Sequence, residues 1–298
     1  MTVLLQQLVN GLTQGAIYAL IALGYTMVYG TLQLINFAHG EVYMVGAFMG
    51  MYVAKWTGVA DAPTIPGVLL VALVTMVFCA VLGMTIERVA YRPMRKSTRL
   101  NMLITAIGVS LLLQNLGLLV FGAIDNFPPL LPKTQWTIGG VVLRSNDLVI
   151  LGTTVTLMII LHQLVERTQI GRAMRAVSHS RDTAALMGIP VDRVIAFTFA
   201  VGSTLAAAAA LLVAMDKGVI QPQMGATGGL KAFTAAVLGG IGSIPGAVLG
   251  GVVLGVCETL VSAFLASSYR DAIAFGVLIV VLLVRPAGLL GRATIEKV

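Results

Sequence analysis

Apolar positions run along this chain in blocks about as long as a bilayer is thick. They lack the period-2 alternation or one-sided stripe of a soluble strand or helix. A spanning helix needs about 20 mostly apolar residues. Five blocks meet that length plainly, at 8–30, 67–86, 102–124, 148–165 and 194–215, and a sixth at 41–54 is shorter. Residues 232–266 are uninterrupted by strong charge except Glu258. As one helix they would measure about 52 Å, too long for one crossing of a roughly 30 Å core. Gly239, Gly240, Gly242, Pro245 and Gly246 divide them. The pattern therefore predicts a first piece at 232–242 and a full span at 246–266. A last run, 272–284, crosses if Arg270 and Asp271 snorkel to the interface. The fold class is all-α: a polytopic membrane helix bundle of eight or nine spans with discontinuous helices, forming a single domain over 1–298.

Composition agrees with the pattern. Of 298 residues, 58% are hydrophobic and 10% charged, against roughly 25% charged in a soluble domain. The mean hydropathy is +0.95. The net charge of +7 would point toward nucleic acid in a soluble protein, but here its distribution matters more. Segments 87–101 and 166–193 and the C-terminus hold 13 of the 19 basic residues. By the positive-inside rule these lie in the cytoplasm, the N-terminus lies outside and the C-terminus inside. That parity needs an odd number of crossings, so nine. No basic n-region with a cleavage site opens the chain, so no removable signal peptide is expected. Cys79 and Cys257 fall in apolar runs and read as small core residues. His162 and His179 have no partner at ligand spacing and do not argue for a metal.

Of the external loops, 125–146 is the longest. Gly139 and Gly140 interrupt alternating apolar residues there and predict a small β-hairpin. No G-x-x-x-x-G-K-[ST] occurs anywhere, so active transport would draw energy from an ion gradient or from another chain.

Three segments carry candidate mechanism. In the first, Asn36, Phe37, His39, Gly40 and Glu41 follow one complete span and precede a short one. Polar groups at such a place are costly unless they line a cavity. A Gly-broken helix start lining a substrate pathway is one reading. A short cytoplasmic turn with Asn36 capping the next helix is the other, with equal weight. The second segment is the Gly/Pro break at 239–246, in the second half of the chain as the first is in the first half. Paired interruptions point to a transporter site. Gly246/Gly250 and Gly251/Gly255 are spaced for close helix packing, which is the stronger reading of these glycines. The third is the basic loop 171–190. Ser180 caps a short helix, Arg181 to Met187, Gly188 suits its C′ position, and Pro190 suits the first turn of the next span. Ala184, Ala185, Leu186 and Met187 give that helix apolar surface with no bilayer to enter. It reads as a docking element for a partner, with a helix lying on lipid headgroups as the alternative. Glu258, inside a span, must be paired, protonated or in water. Gln114-Asn115 is expected to bond between helices.

These segments carry a resemblance. Tyr18 to Ala22, Gly24 to Gly30, Ile35 to Met44, Ile86 to Pro93, Ala232 to Ala247 and the terminal Glu296-Lys297-Val298 resemble the LivH-type permeases of bacterial high-affinity branched-chain amino acid ABC transporters. The likeness covers nearly the whole chain and weakens at 55–66 and 123–146. It implies an inner-membrane permease that has no ATPase of its own and needs no cofactor. Its partners would be a second homologous permease, two cytoplasmic ATP-binding subunits and a periplasmic amino-acid-binding protein. It implies that Ser180, Arg181, Ala184 to Gly188 couple to an ATPase and that 35–41 lines the substrate path. The wider superfamily includes sugar and urea permeases. Leucine, isoleucine and valine are the expected substrates. From the residues alone, a proton-driven carrier using Glu258 and a passive channel stay open.

Overall fold

A computed structural model of the chain describes residues 2–95, 97–132, 134–285 and 287–291. Lys96, Lys133, Arg292 and the terminal Glu296-Lys297-Val298 lie outside the described residues. In chain order the elements begin with α1 (Thr2–Leu32), α2 (His39–Trp56) and α3 (Ile65–Ile86). A π-helical turn (Glu87–Tyr91) and the single turn α4 (Arg92–Met94) extend α3, and α5 (Arg99–Phe121) follows. Next come β1 (Asp125–Asn126), β2 (Gln135–Ile138), β3 (Val141–Arg144), α6 (Ser145–Arg167), α7 (Gln169–His179) and α8 (Arg181–Leu186). The chain continues with α9 (Val191–Lys217), β4 (Val219–Ile220), α10 (Met224–Gly239), α11 (Ile244–Phe264), a 3-10 turn (Ser267–Tyr269) and α12 (Arg270–Val284).

Seven helices among the described residues are long and apolar enough to cross a membrane. The other two of the nine expected crossings are α2, with 18 residues, and α10, with 16. Every apolar block of the sequence is therefore a helix. The first turns of α2 and α10 carry glycine and polar groups.

The bundle has two faces. One carries the hairpin β2–β3, where Gly139 and Gly140 both take positive φ, 59° and 82°. That is the backbone a two-residue hairpin turn requires. Gln6 of α1 bonds Val142 there through both ends of its amide, at 3.0 and 2.7 Å. On the same face β1 pairs with β4, joining the far ends of α5 and α9, and Lys55 pairs with Asp125 at 3.6 Å. The opposite face carries α7 and α8, the turn 240–243 and residues 287–291. Leu289 N–H and Leu290 N–H donate there to the Leu238 and Gly239 carbonyls at 2.9 Å. The helices alternate between these faces in the order the nine-crossing reading requires.

Two close approaches build the core. A Cβ on Gly251 or Gly255 would overlap the backbone of Ala19 or Gly15 in α1, and one on Gly246 or Gly250 would overlap α10. The four-residue spacing thus serves packing, on two sides of α11. Several sequence expectations need correction. The piece placed at 232–242 is a helix from Met224 to Gly239, because Gly225 and Gly229 pack tightly on α2 where side chains would not fit. Arg270 and Asp271, at the start of α12, also hold partners within the bundle: Arg270 bonds Glu258 at 2.7 Å and the exposed Asp271 pairs with Lys231 at 2.6 Å. Asn115 donates to Leu111 of its own helix at 2.7 Å and is exposed, so it makes no interhelical bond. Pro190 is the N-cap residue of α9, one position before the first turn.

Candidate functional site

The first candidate segment becomes a break at half depth. α1 ends at Leu32, and Gln33 takes a left-handed φ of 55°, unusual without glycine. The chain then doubles back before α2 begins at His39. His39 Nε2 lies 3.2 Å from the Ile21 carbonyl oxygen, a bond made by the Nε2–H tautomer. Ile21 stands eleven residues, about 16 Å, from the end of α1, which is half of a roughly 30 Å core. His39 also meets the Tyr25 ring edge-on, with centroids 4.7 Å apart. Gly40 packs directly on Gly225 and Gly229, in the first turns of α10. Glu41 is buried, with 1% exposure. Its Oε1 accepts from Ser110 Oγ at 3.2 Å, at the midpoint of α5, and Oε2 has no hydrogen-bond partner among the described residues. The first turns of α2 and α10 therefore pack against each other inside the bundle.

Asn36 is buried nearer the loop face, where its Oδ1 accepts from Tyr91 Oη at 2.7 Å. Its side chain makes no cap for α2; the N-cap position is Ala38. Tyr91 ends the π-helical turn, a local irregularity of the kind that gathers at functional sites. Phe37 is half-buried against Phe233 at 5.9 Å, and Phe233 also meets Tyr25 at 6.1 Å. The Gly/Pro break lies elsewhere. Gly239 ends α10, Gly240 and Gly242 have φ of 104° and 96°, and Ser243 caps α11 with Pro245 in its first turn. Gly242 stands beside Gly30 of α1, on the loop face. The interruption whose following helix packs on the start of α2 is instead the one before α10, at 221–223.

On the loop face, Thr168 caps α7 by accepting from the Gly171 N–H at 3.1 Å. α7 buries Gly171, Met174 and Val177; the sequence reading had no helix there. Ser180 caps α8, accepting from the Thr183 N–H at 3.3 Å, and Gly188 at C′ has φ of 80°. The short helix does not present one apolar side. Ala184 is buried against the bundle, whereas Leu186 and Met187 project outward, 87% and 78% exposed. Arg181 turns inward too: its Nη2 donates to the Leu32 carbonyl at 2.8 Å, satisfying an orphan acceptor at the end of α1. Burial lowers the Arg181 pKa from its ordinary value, and nearby Arg95 adds to the shift. Beside α8 opens a groove of about 660 Å³, with Met84, Glu87 and Arg88 on one wall and Ala185, Ile189 and Asp192 on the other. Arg92 and Arg95 both pair with Asp192, and Arg95 with Glu87.

Glu258 is fully buried and paired. Tyr18 Oη and Arg270 Nε donate to its Oε2 at 2.8 and 2.7 Å, and Lys231 Nζ lies 3.2 Å from Oε1. Ser110, Tyr91, Gly225 and Gly229 were not singled out by sequence. Only the glycine cluster at 225–229 carried a signal, as small residues where two helices approach.

Comparison with known proteins adds to this geometry. A family model described as branched-chain amino acid transport system / permease component matches residues 7–282. The high-affinity branched-chain amino acid transport system permease protein LivH of Escherichia coli is 47% identical over 302 residues, covering 99% of this chain and 97% of that protein. BraD of Pseudomonas aeruginosa, described in the same words, is 46% identical over 300 residues, with 99% and 98% covered. The probable branched-chain amino acid transport permease protein LivH of Methanocaldococcus jannaschii is 27% identical over 294 residues, with 91% and 88% covered.

Proposed function

The chain belongs to the family of branched-chain amino acid transport system permease components, and on that premise we propose that it is the membrane subunit of an ATP-driven importer of leucine, isoleucine and valine. The observation that carries the energy source is α8. It holds two large apolar side chains in solvent, on a face where Arg88, Arg167, Arg172 and Arg193 make no ion pair among the described residues. An exposed apolar pair on a fixed helix suits a protein partner. With no phosphate-binding loop in its own sequence, the permease takes ATP energy from that partner. The full transporter pairs it with a second homologous permease, two cytoplasmic ATP-binding subunits and a periplasmic amino-acid-binding protein.

Charge supports the orientation. On the hairpin face Lys55, Arg144 and Arg270 are paired with acids and Lys217 is not, while on the loop face Arg88, Arg167, Arg172 and Arg193 make no ion pair among the described residues. The loop face is then cytoplasmic, in a bacterial inner membrane. Proton-driven carriage through Glu258 is disfavoured, since two cations and a phenol already hold that carboxylate.

The pathway runs along the seam where α2 and α10 begin. His39, Gly40, Glu41 and Phe37 line it, and docking at α8 moves the break they belong to. Among the described residues the seam has no Lys or Arg and holds an aromatic cluster, which fits an aliphatic side chain on a zwitterion better than a sugar. In cells expressing the full transporter, excess unlabelled isoleucine or valine should reduce labelled leucine uptake at least about tenfold, and ribose or urea should leave it unchanged. Faster uptake of ribose or urea than of leucine would overturn the substrate assignment.

A further inference from the structure

Four acids among the described residues are almost wholly buried: Glu41, Glu87, Asp147 and Glu258. Three hold a cation. Glu87 pairs with Arg95, Asp147 with Arg144 at 2.8 Å, and Glu258 with Arg270 and Lys231. Glu41 has no Lys, Arg or His within ion-pairing distance among the described residues. Its Oε1 is held by the Ser110 hydroxyl and its Oε2 has no hydrogen-bond partner among the described residues. A buried carboxylate without a partner is costly, and proteins remove that cost with a cation or a proton. Within this bundle the rule is a cation, and at Glu41 the cation is missing.

The surroundings say where it enters. Oε2 faces Gly225, and a Cβ at that position would overlap it. Only the absent side chain lets the first turn of α10 close over the oxygen. Ala226 and Thr227, the next residues of that turn, are exposed, and Ser110 is half-exposed. A small shift of α10 away from α2 therefore opens Oε2 to the seam. We propose that Oε2 of Glu41 binds the α-ammonium group of the transported amino acid, with Ser110 fixing the carboxylate through its other oxygen. This rests on the reading of the chain as an amino acid permease and names the group that receives the substrate.

The test compares Glu41→Gln with Glu41→Asp in the reconstituted full transporter. Gln keeps the shape and loses the charge; Asp keeps the charge and shortens the side chain. An ammonium site ranks Asp above Gln: leucine uptake falls about 100-fold in Gln and about tenfold in Asp, at equal abundance in the membrane. Gln transporting as well as Asp, or better, makes Glu41 a packing residue and overturns the proposal. If either variant fails to assemble, carbodiimide labelling of Glu41 in the unaltered transporter decides. Turnover with leucine-loaded binding protein should slow that labelling at least about threefold; an unchanged rate, or no labelling at Glu41 in either condition, overturns it. Failure of the unaltered transporter to take up leucine would refute the permease reading itself, whatever Glu41 does.

Discussion

Leu186→Asp in α8 should abolish ATP-coupled leucine uptake while leaving the subunit at its usual abundance in the membrane. Leu186 is 87% exposed, so a carboxylate there keeps its water and costs the permease fold almost nothing. Its cost falls on the complex. A central apolar anchor of an interface is worth about 2–4 kcal/mol, and a charge buried there costs more. Docking should weaken by about two orders of magnitude or more. Met187→Asp, 78% exposed, should act similarly. Gly188→Leu belongs with them: nothing lies within 4 Å of a side chain there, but φ of 80° strains any L residue by about 1 kcal/mol or more and tilts the end of α8. Uptake and binding-protein-stimulated ATP hydrolysis are the readouts. Unaltered uptake in Leu186→Asp removes α8 from the coupling path. Disappearance of the protein from the membrane makes α8 structural instead.

The second large effect lies in the ion cluster of α10, α11 and α12. Arg270→Leu alone leaves Lys231 at 3.2 Å from Glu258 and should lower stability moderately. Adding Lys231→Met leaves a fully buried carboxylate with only the Tyr18 hydroxyl. Removing the partners of a buried charge costs about 3–5 kcal/mol, a large share of the 5–15 kcal/mol that holds a domain together. The double variant should lose its cooperative melting transition in detergent. Adding Glu258→Leu should restore it, because an apolar side chain of similar size needs no partner. The exposed Asp271 also loses Lys231, but that surface pair contributes little. A double variant as stable as the unaltered protein would mean that Glu258 is protonated in place, and would revive the proton-carrier reading.

The helical blocks, the hairpin at Gly139-Gly140 and the capped helix after Ser180 were legible because each rests on local chemistry: run length, positive φ, a side-chain cap. What stayed illegible depends on partners far along the chain. Arg181 read as a docking charge because its sequence neighbours are polar; its partner is the Leu32 carbonyl, 149 residues away. Lys231 made a helix through 224–231 look broken, and its partners are on α11 and α12. The Gly/Pro run at 239–246 looked like the counterpart of the break at 35–41. Glycine and proline mark a turn without saying at what depth it lies, and this turn lies at the loop face. Glu41 was visible as an expensive residue. That it alone lacks a cation among the buried acids of the described residues was visible only after every other pair had formed.

The central claim is that this permease is energised by an ATPase bound to its loop face and not by an ion gradient. Leucine uptake into proteoliposomes holding the complete transporter, with binding protein outside, measures this directly. Uptake should require ATP on the cytoplasmic side, persist when a protonophore collapses the proton gradient, and cease when the ATPase subunits are left out. Leucine accumulation by this chain without ATP, driven by an intact proton gradient, would contradict the account.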